Sequence, residues 1–160
     1  MMFASNDDFV KDFVERTILN YRFLEKGPYE VTALINSAIG VIILPYEKGK
    51  IRFTDGFIGK DLVEKLKQCS SKNTYVKPLD FYQILRHLRN GFAHQNWEAV
   101  AEKSPINDDP LEIDSIKLYD KNPITNESID FNIKIELLRE FFIKFSNAVI
   151  SYFNEANKRK

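Results

Sequence analysis

Two histidines and two arginines lie within one nine-residue stretch, RHLRNGFAH at residues 86–94, and the chain has no other histidine. A histidine gives and takes protons near neutral pH, because its ordinary pKa is about 6.5. An arginine stays charged, and its guanidinium can bind a phosphate through two hydrogen bonds at once. With an amide such as Asn90 to orient them, these groups suffice for metal-free RNA cleavage. One group takes the 2′-hydroxyl proton, the cation stabilises the crowded phosphorane, and an acid protonates the leaving oxygen. DNA lacks the 2′-hydroxyl and is excluded from this reaction.

The spacing of these groups decides which of them share a helix face. At about 100° per residue, Asn90, His94 and Arg86 point away from the apolar face, and Arg89 lies at its border. An intact helix separates Arg89 from His94 by about 140°. Either Gly91 loosens the helix there, or a second copy of the chain supplies the partner group. The apolar face itself is predicted to consist of Phe81, Ile84, Leu85, Leu88 and Phe92.

A structural interpretation of the same stretch stays open, because polar residues on the outer side of a helix are more often plain surface. Arg86 and His87 are candidates for contacts with a substrate, and His87 is otherwise interpreted as a surface or interface residue. Trp97 is interpreted as a packing residue beneath the stretch. No metal-ligand spacing and no glycine-rich phosphate loop is present, so we expect no metal and no cofactor.

Composition limits the class of protein. The 160 residues predict one domain over 1–160. The formal net charge of +0 excludes a strongly basic, non-specific nucleic-acid coat. The single cysteine, Cys69, cannot form an internal disulfide, which favours a reducing cytoplasm, and it is interpreted as a residue at a helix end. No export signal is visible. The most apolar stretch, 31–45, is shorter than the roughly 20 residues that span a bilayer, so we expect a buried helix and no membrane partner.

The elements that must position the stretch are mostly helices. Ser5 is predicted to cap the first helix, and Pro28 and Pro45 to begin and end the second. A short third helix precedes a polar linker at 70–74, and Pro78 is predicted to begin the helix that carries the stretch. The last helix has an apolar stripe suited to core packing, with a seam between subunits as the alternative. The stripe is Ile135, Leu138, Phe142, Phe145, Val149 and Tyr152.

Strand-like alternation appears before this last helix, at 129–135, and an extended segment precedes it. We therefore predict a β-hairpin insertion at about 111–134. The fold class that follows is mainly α, a helical bundle of four to five helices with this hairpin before the last one.

The residues Arg89, Asn90 and His94 stand in the order Arg, polar residue, three residues, His, and this pattern resembles the motif of the HEPN superfamily (higher eukaryotes and prokaryotes, nucleotide-binding). The segments RTILNY at 16–21 and YEVTALINSAIGVIILPYEK at 29–48 are similar to the first two helices of a plasmid- and defence-associated HEPN subfamily. The resemblance covers about the first 100 residues. The hairpin and the last helix fit at the level of architecture.

This resemblance implies a HEPN-like bundle that forms a homodimer, in which two motifs face each other and build one composite site. It implies a metal-independent endoribonuclease that leaves a cyclic phosphate and a 5′-hydroxyl, with Arg89, Asn90 and His94 as the catalytic residues. Toxin–antitoxin and anti-phage systems are the implied setting, with RNA as substrate and an antitoxin or defence protein as a further partner. Other HEPN proteins are non-catalytic RNA-binding or dimerising modules, and that alternative stays open.

Overall fold

The computed structural model describes residues 6–27, 29–72, 74–75, 78–101 and 113–159. Within them the chain forms five α-helices and four β-strands. The elements in chain order are α1 (Asn6–Leu24), α2 (Glu30–Lys48), α3 (Lys60–Gln68), β1 (Ser70–Lys72), α4 (Phe81–Ala93), β2 (Trp97–Ala101), β3 (Ile113–Lys121), β4 (Ser128–Lys134) and α5 (Ile135–Lys158). The prediction of a mainly α fold is confirmed. The predicted roles of Ser5 and Pro28 at helix ends lie outside the described residues.

The last helix, α5, lies against α1, α2 and the sheet and supplies much of the core. Its predicted stripe is buried from Ile135 to Val149, so these residues pack within one chain rather than between subunits. Tyr152 is the exception, since it is 38% exposed while Phe153 is 3% exposed. The α-helical period explains the difference, because Phe153 lies four residues after Val149 and keeps to the inner face.

Helix α2 continues through Pro45 to Lys48, so the prediction that Pro45 ends it is wrong. The last turn is held by tertiary packing, which overrides the helix-breaking tendency of proline. The ring of Tyr46 stacks near Phe53, with ring centroids 6.3 Å apart. The extra turn makes α2 a 19-residue helix, which by length and composition alone would also cross a membrane. The expected absence of a membrane partner therefore stays a prediction.

The strands form one antiparallel sheet in the order β1-β4-β3-β2. β3 and β4 make the predicted hairpin, with Leu118 opposite Phe131. The hairpin is not a separate insertion, however, because strands pair with both of its outer edges. β1 occupies the segment predicted as a polar linker, and β2 follows directly after α4. Both edge strands were missed because they are short and carry no clean apolar alternation.

Helix α4 begins at Phe81, not at Pro78, because Asp80 is its N-terminal cap. The Asp80 carboxylate accepts a hydrogen bond from the backbone N–H of Gln83 at 2.8 Å. A second carboxylate, that of Asp55, accepts from the N–H of Phe81 at 2.7 Å. The predicted apolar face of α4 is confirmed, since all of its members are buried: Phe81, Ile84, Leu85, Leu88 and Phe92.

Gly91 lies where the side chain of Leu118 on β3 packs against α4. The helix runs through Gly91 to Ala93 without a break, so the glycine does not loosen it. A Cβ added at Gly91 would lie 2.5 Å from side-chain atoms of Leu118. Such a distance is shorter than any ordinary van der Waals contact, so the glycine is what lets β3 pack directly on the helix.

We expect Gly91→Ala to destabilise the protein by about 1–3 kcal/mol, the usual range for overpacking a core. Replacing a glycine inside a helix by alanine ordinarily stabilises a protein. Gly40→Ala in α2 is the matched control, because the atom nearest to its added Cβ is the tip of the Phe13 ring at 3.2 Å. Denaturant unfolding measures both. The loss at Gly91 should shrink in a Leu118→Ala background. A Gly91→Ala variant as stable as the parent would contradict the proposed close contact.

Candidate functional site at the end of helix α4

His94 is the residue at which α4 ends. Its backbone N–H donates to the carbonyl of Asn90 at 3.0 Å, and its side chain is exposed. Within the part of the chain that the structure describes, the imidazole makes no hydrogen bond and no ion pair. Both ring nitrogens are therefore available to an incoming group, as a proton-transfer residue requires.

Arg89 is half-buried and turned towards the last turn of α2. Its guanidinium forms an ion pair with Glu47 and lies over the ring of Tyr46, 5.7 Å from the ring centroid. Both partners are on the turn that follows Pro45, so the unexpected length of α2 directly shapes the environment of Arg89. The charge of Arg89 is thus paired within one chain, and a phosphate would have to share it with the Glu47 carboxylate.

Asn90 joins Arg89 to the sheet. Its Oδ1 accepts a hydrogen bond from Nη1 of Arg89 at 2.6 Å, and its Nδ2 donates to Oδ2 of Asp120 at 3.2 Å. Asp120 lies on β3 and was not among the predicted site residues. A sequence signal for it exists, because Ile116, Leu118 and Asp120 alternate along one strand and all three are buried. A carboxylate on the same face of a strand as its buried apolar residues is expected to have a specific hydrogen-bond partner.

That partner is His87, and the interpretation of His87 as a surface or interface residue is wrong, because the residue is buried within the chain. The side chain is 7% exposed, and its Nδ1 lies 2.7 Å from Oδ2 of Asp120. The ring of Tyr75 packs edge-on against the imidazole, with centroids 5.1 Å apart. A helical wheel considers only one packed face, whereas β3 and Tyr75 cover a second flank of α4. A contact between His87 and a substrate stays a prediction.

The Asp120 carboxyl is ionised at neutral pH. Burial raises its pKa, but the hydrogen bonds from His87 and Asn90 and the nearby charge of Arg86 outweigh burial, so the pKa is lowered from its ordinary value. An ionised carboxylate only accepts hydrogen bonds. Nδ1 of His87 therefore carries the hydrogen that joins the two side chains. Its other ring nitrogen, Nε2, is buried without a partner among the described residues.

A cleft of about 410 Å³ opens between the end of α4 and the β3–β4 hairpin. It brings together four of the predicted site residues, namely Arg86, His87, Asn90 and His94. Arg89 is not among its lining residues, since its side chain lies on the α2 side of Asn90. One chain therefore does not place Arg89 and His94 in a common cleft, and the alternative that Gly91 alone unites them is not what the structure has.

Two other features of the described residues resemble sites, a second cleft and the cysteine that lines it. A cleft of about 570 Å³ on the sheet, lined in part by Cys69 and Trp97, contains no histidine. Cys69 follows the last residue of α3, as predicted, and burial raises the pKa of its thiol to about 11. A thiol with such a pKa is a poor nucleophile at neutral pH. Among the described residues no group of His, Cys, Asp and Glu side chains is arranged to hold a metal ion.

We expect Asp120→Asn to remove a pH-dependent part of the stability. Because the folded-state pKa is lowered, the carboxylate stabilises the fold above its unfolded value of about 3.9 and loses this effect as pH falls through the folded-state pKa. The parent should be more stable than the variant at pH 7, by about 1–3 kcal/mol. Denaturant unfolding from pH 7 to about pH 3 should show the difference shrinking. Asp114→Asn is the control on the same strand, and a difference independent of pH would contradict the assignment.

The sequence matches the family described as HEPN pEK499 p136 over residues 2–156, nearly the whole chain. No curated protein and no solved structure matches it. The resemblance based on residues 16–21, 29–48 and the stretch around Arg89 and His94 is confirmed by this match. A HEPN domain indicates a nuclease or an RNA-related module. Since the match spans the helices, the sheet and the candidate site, the chain belongs to the HEPN pEK499 p136 family.

Proposed function

We propose that this protein is a metal-independent endoribonuclease whose active site is completed in a homodimer. The observation that carries the proposal is the imidazole of His94 at the end of α4, which is exposed and has no partner among the described residues. It lies next to a helical turn whose Arg89 is held in place by Asn90. Membership in a HEPN family supports an RNA substrate. Proton transfer and phosphate binding are the two tasks that these side chains can perform without a metal.

The proposed reaction is an internal transesterification. The 2′-oxygen attacks the adjacent phosphorus and the 5′-oxygen leaves, which gives a 2′,3′-cyclic phosphate and a 5′-hydroxyl. The 2′-hydroxyl gives up a proton and the leaving 5′-oxygen takes one up, and His94 performs one of these two transfers while water performs the other. Arg89 stabilises the negative charge that develops on the phosphate, and Asn90 fixes the direction of its guanidinium. Arg86, which lines the cleft beside His94, supplies a further positive charge for the RNA backbone.

A second subunit is part of the proposal because of where the groups lie in one chain. Arg89 faces α2, where Glu47 pairs with its charge, whereas His94 faces the cleft beside the hairpin. A two-fold axis near the end of α4 would set Arg89 of one subunit beside His94 of the other. The proposed setting is a toxin–antitoxin or anti-phage system in the cytoplasm, with an antitoxin or defence protein as partner.

A non-catalytic RNA-binding or dimerising module is the second candidate. The pairing of Arg89 with Glu47 favours it, because the cation is already neutralised within the chain. The balanced net charge of the chain also favours a non-catalytic module. Under this candidate RNA binds without being cut, and binding survives the loss of His94.

We expect the purified protein to cleave RNA in excess chelator, and His94→Ala and Arg89→Ala each to lower the rate by about 10²- to 10⁴-fold. The physical reason is the loss of proton transfer in one variant and of phosphate stabilisation in the other. Arg16→Ala, which removes an exposed arginine of α1, is the matched control and should retain activity. End analysis should find cyclic phosphates and 5′-hydroxyls. Equal activity in all four proteins, or none in the parent, would refute the assignment.

We further expect inactive Arg89→Ala and inactive His94→Ala to complement each other when mixed under conditions that exchange subunits. A mixed dimer retains one arginine and one histidine on opposite subunits, so it can rebuild a composite site. RNA cleavage by the mixture is compared with that of each variant alone. A mixture no more active than its components, although mixed dimers form, would exclude a site shared between subunits.

A further inference from the structure

The side-chain amide of Asn90 lies between a cation and an anion, and only one orientation satisfies both. Its oxygen must face Arg89, because a guanidinium can only donate, and its nitrogen must face Asp120, because a carboxylate can only accept. The reversed amide would turn its N–H groups to the guanidinium and its oxygen to the carboxylate. Asp120 thereby determines which end of Asn90 meets Arg89.

Asp120 is itself held by His87. The side chain of Asp120 is 10% exposed, and one oxygen, Oδ2, accepts from both Nδ1 of His87 and Nδ2 of Asn90. Because Nε2 of His87 has no partner among the described residues, the bond to Asp120 is the hydrogen bond that fixes the imidazole. Burial makes the arrangement stringent, because a buried polar group that loses its hydrogen-bond partner destabilises the fold.

We propose that Asp120 and His87 are positioning residues of the candidate active site, acting through the Asn90 amide on the direction of the Arg89 guanidinium. Neither residue belongs to the arginine–histidine motif, and Asp120 comes from the β3–β4 hairpin, so the hairpin acquires a role in the site. The inference rests on the proposed function in that the positioned group, Arg89, is the one assigned to the phosphate.

The test uses Asp120→Ala in the full-length protein, with Asp114→Ala on the same strand as the control. We expect kcat on RNA to fall by about 10- to 100-fold with little change in KM, as for a displaced catalytic group. The ¹H–¹⁵N signals of the Arg89 guanidinium should shift in Asp120→Ala and not in Asp114→Ala. In an Asn90→Ala background, Asp120→Ala should lower kcat no further, because its effect passes through Asn90.

Unchanged Arg89 signals, or a full additional loss of kcat in the Asn90→Ala background, would overturn the proposal. If Asp120→Ala does not fold, Asp120→Ser, whose shorter side chain breaks both bonds but stays polar, is measured with the same expectations. The guanidinium signals need no RNA. A parent protein that does not cleave RNA would therefore refute the proposed function, while a shift of the Arg89 signals would still support the positioning role.

His87 is tested by rescue. The side-chain nitrogen of His87→Asn takes about the place of Nδ1 and can donate to Asp120, whereas His87→Leu removes the donor. We expect His87→Leu to show the kcat loss and the Arg89 shift of Asp120→Ala, and His87→Asn to restore both towards the parent. Equal behaviour of the two variants, in both measurements, would show that His87 does not act through this hydrogen bond.

Discussion

The close packing of β3 on α4 at Gly91 is the constraint on which the candidate site depends. A side chain at this position would collide with Leu118, so the strand can reach the helix only where the helix has no Cβ. Two residues further along β3, Asp120 then comes within hydrogen-bond distance of His87 and Asn90. The glycine in the middle of the motif thus lets β3 pack on α4, and β3 in turn supplies the carboxylate that binds Asn90 of the motif.

A series of ion pairs and hydrogen bonds therefore crosses the end of α4. It runs from Glu47 on α2 through Arg89 and Asn90 to Asp120 on β3, and ends at His87. Each side chain in the series binds the next, although Nε of Arg89 and Nε2 of His87 have no partner among the described residues. Three elements that are far apart in sequence therefore fix one arginine, while the imidazole of His94 at the helix end makes no contact of this kind with the described part of the chain.

The sequence predicts those features of the site that depend only on which face of a helix packs against the core. The apolar face of α4 follows from its spacing, and so do the exposed position of His94 and the border position of Arg89. The prediction for His87 failed because it depends on a contact with β3. The prediction for Pro45 failed because the turn that follows it packs through Tyr46 on the rings of Phe53 and Tyr82. Asp120 was missed because a helical motif does not indicate its partner on a distant strand.

The central claim is that the motif becomes an active site only when two subunits bring their α4 ends together. The most direct measurement is the distance between spin labels placed at Ala93→Cys, an exposed position beside His94, in a Cys69→Ser background. A site shared between two subunits predicts one distance below about 30 Å, the diameter of a small domain. A longer distance, with the two helix ends on opposite outer surfaces of the dimer, or the absence of any dimer, would contradict it.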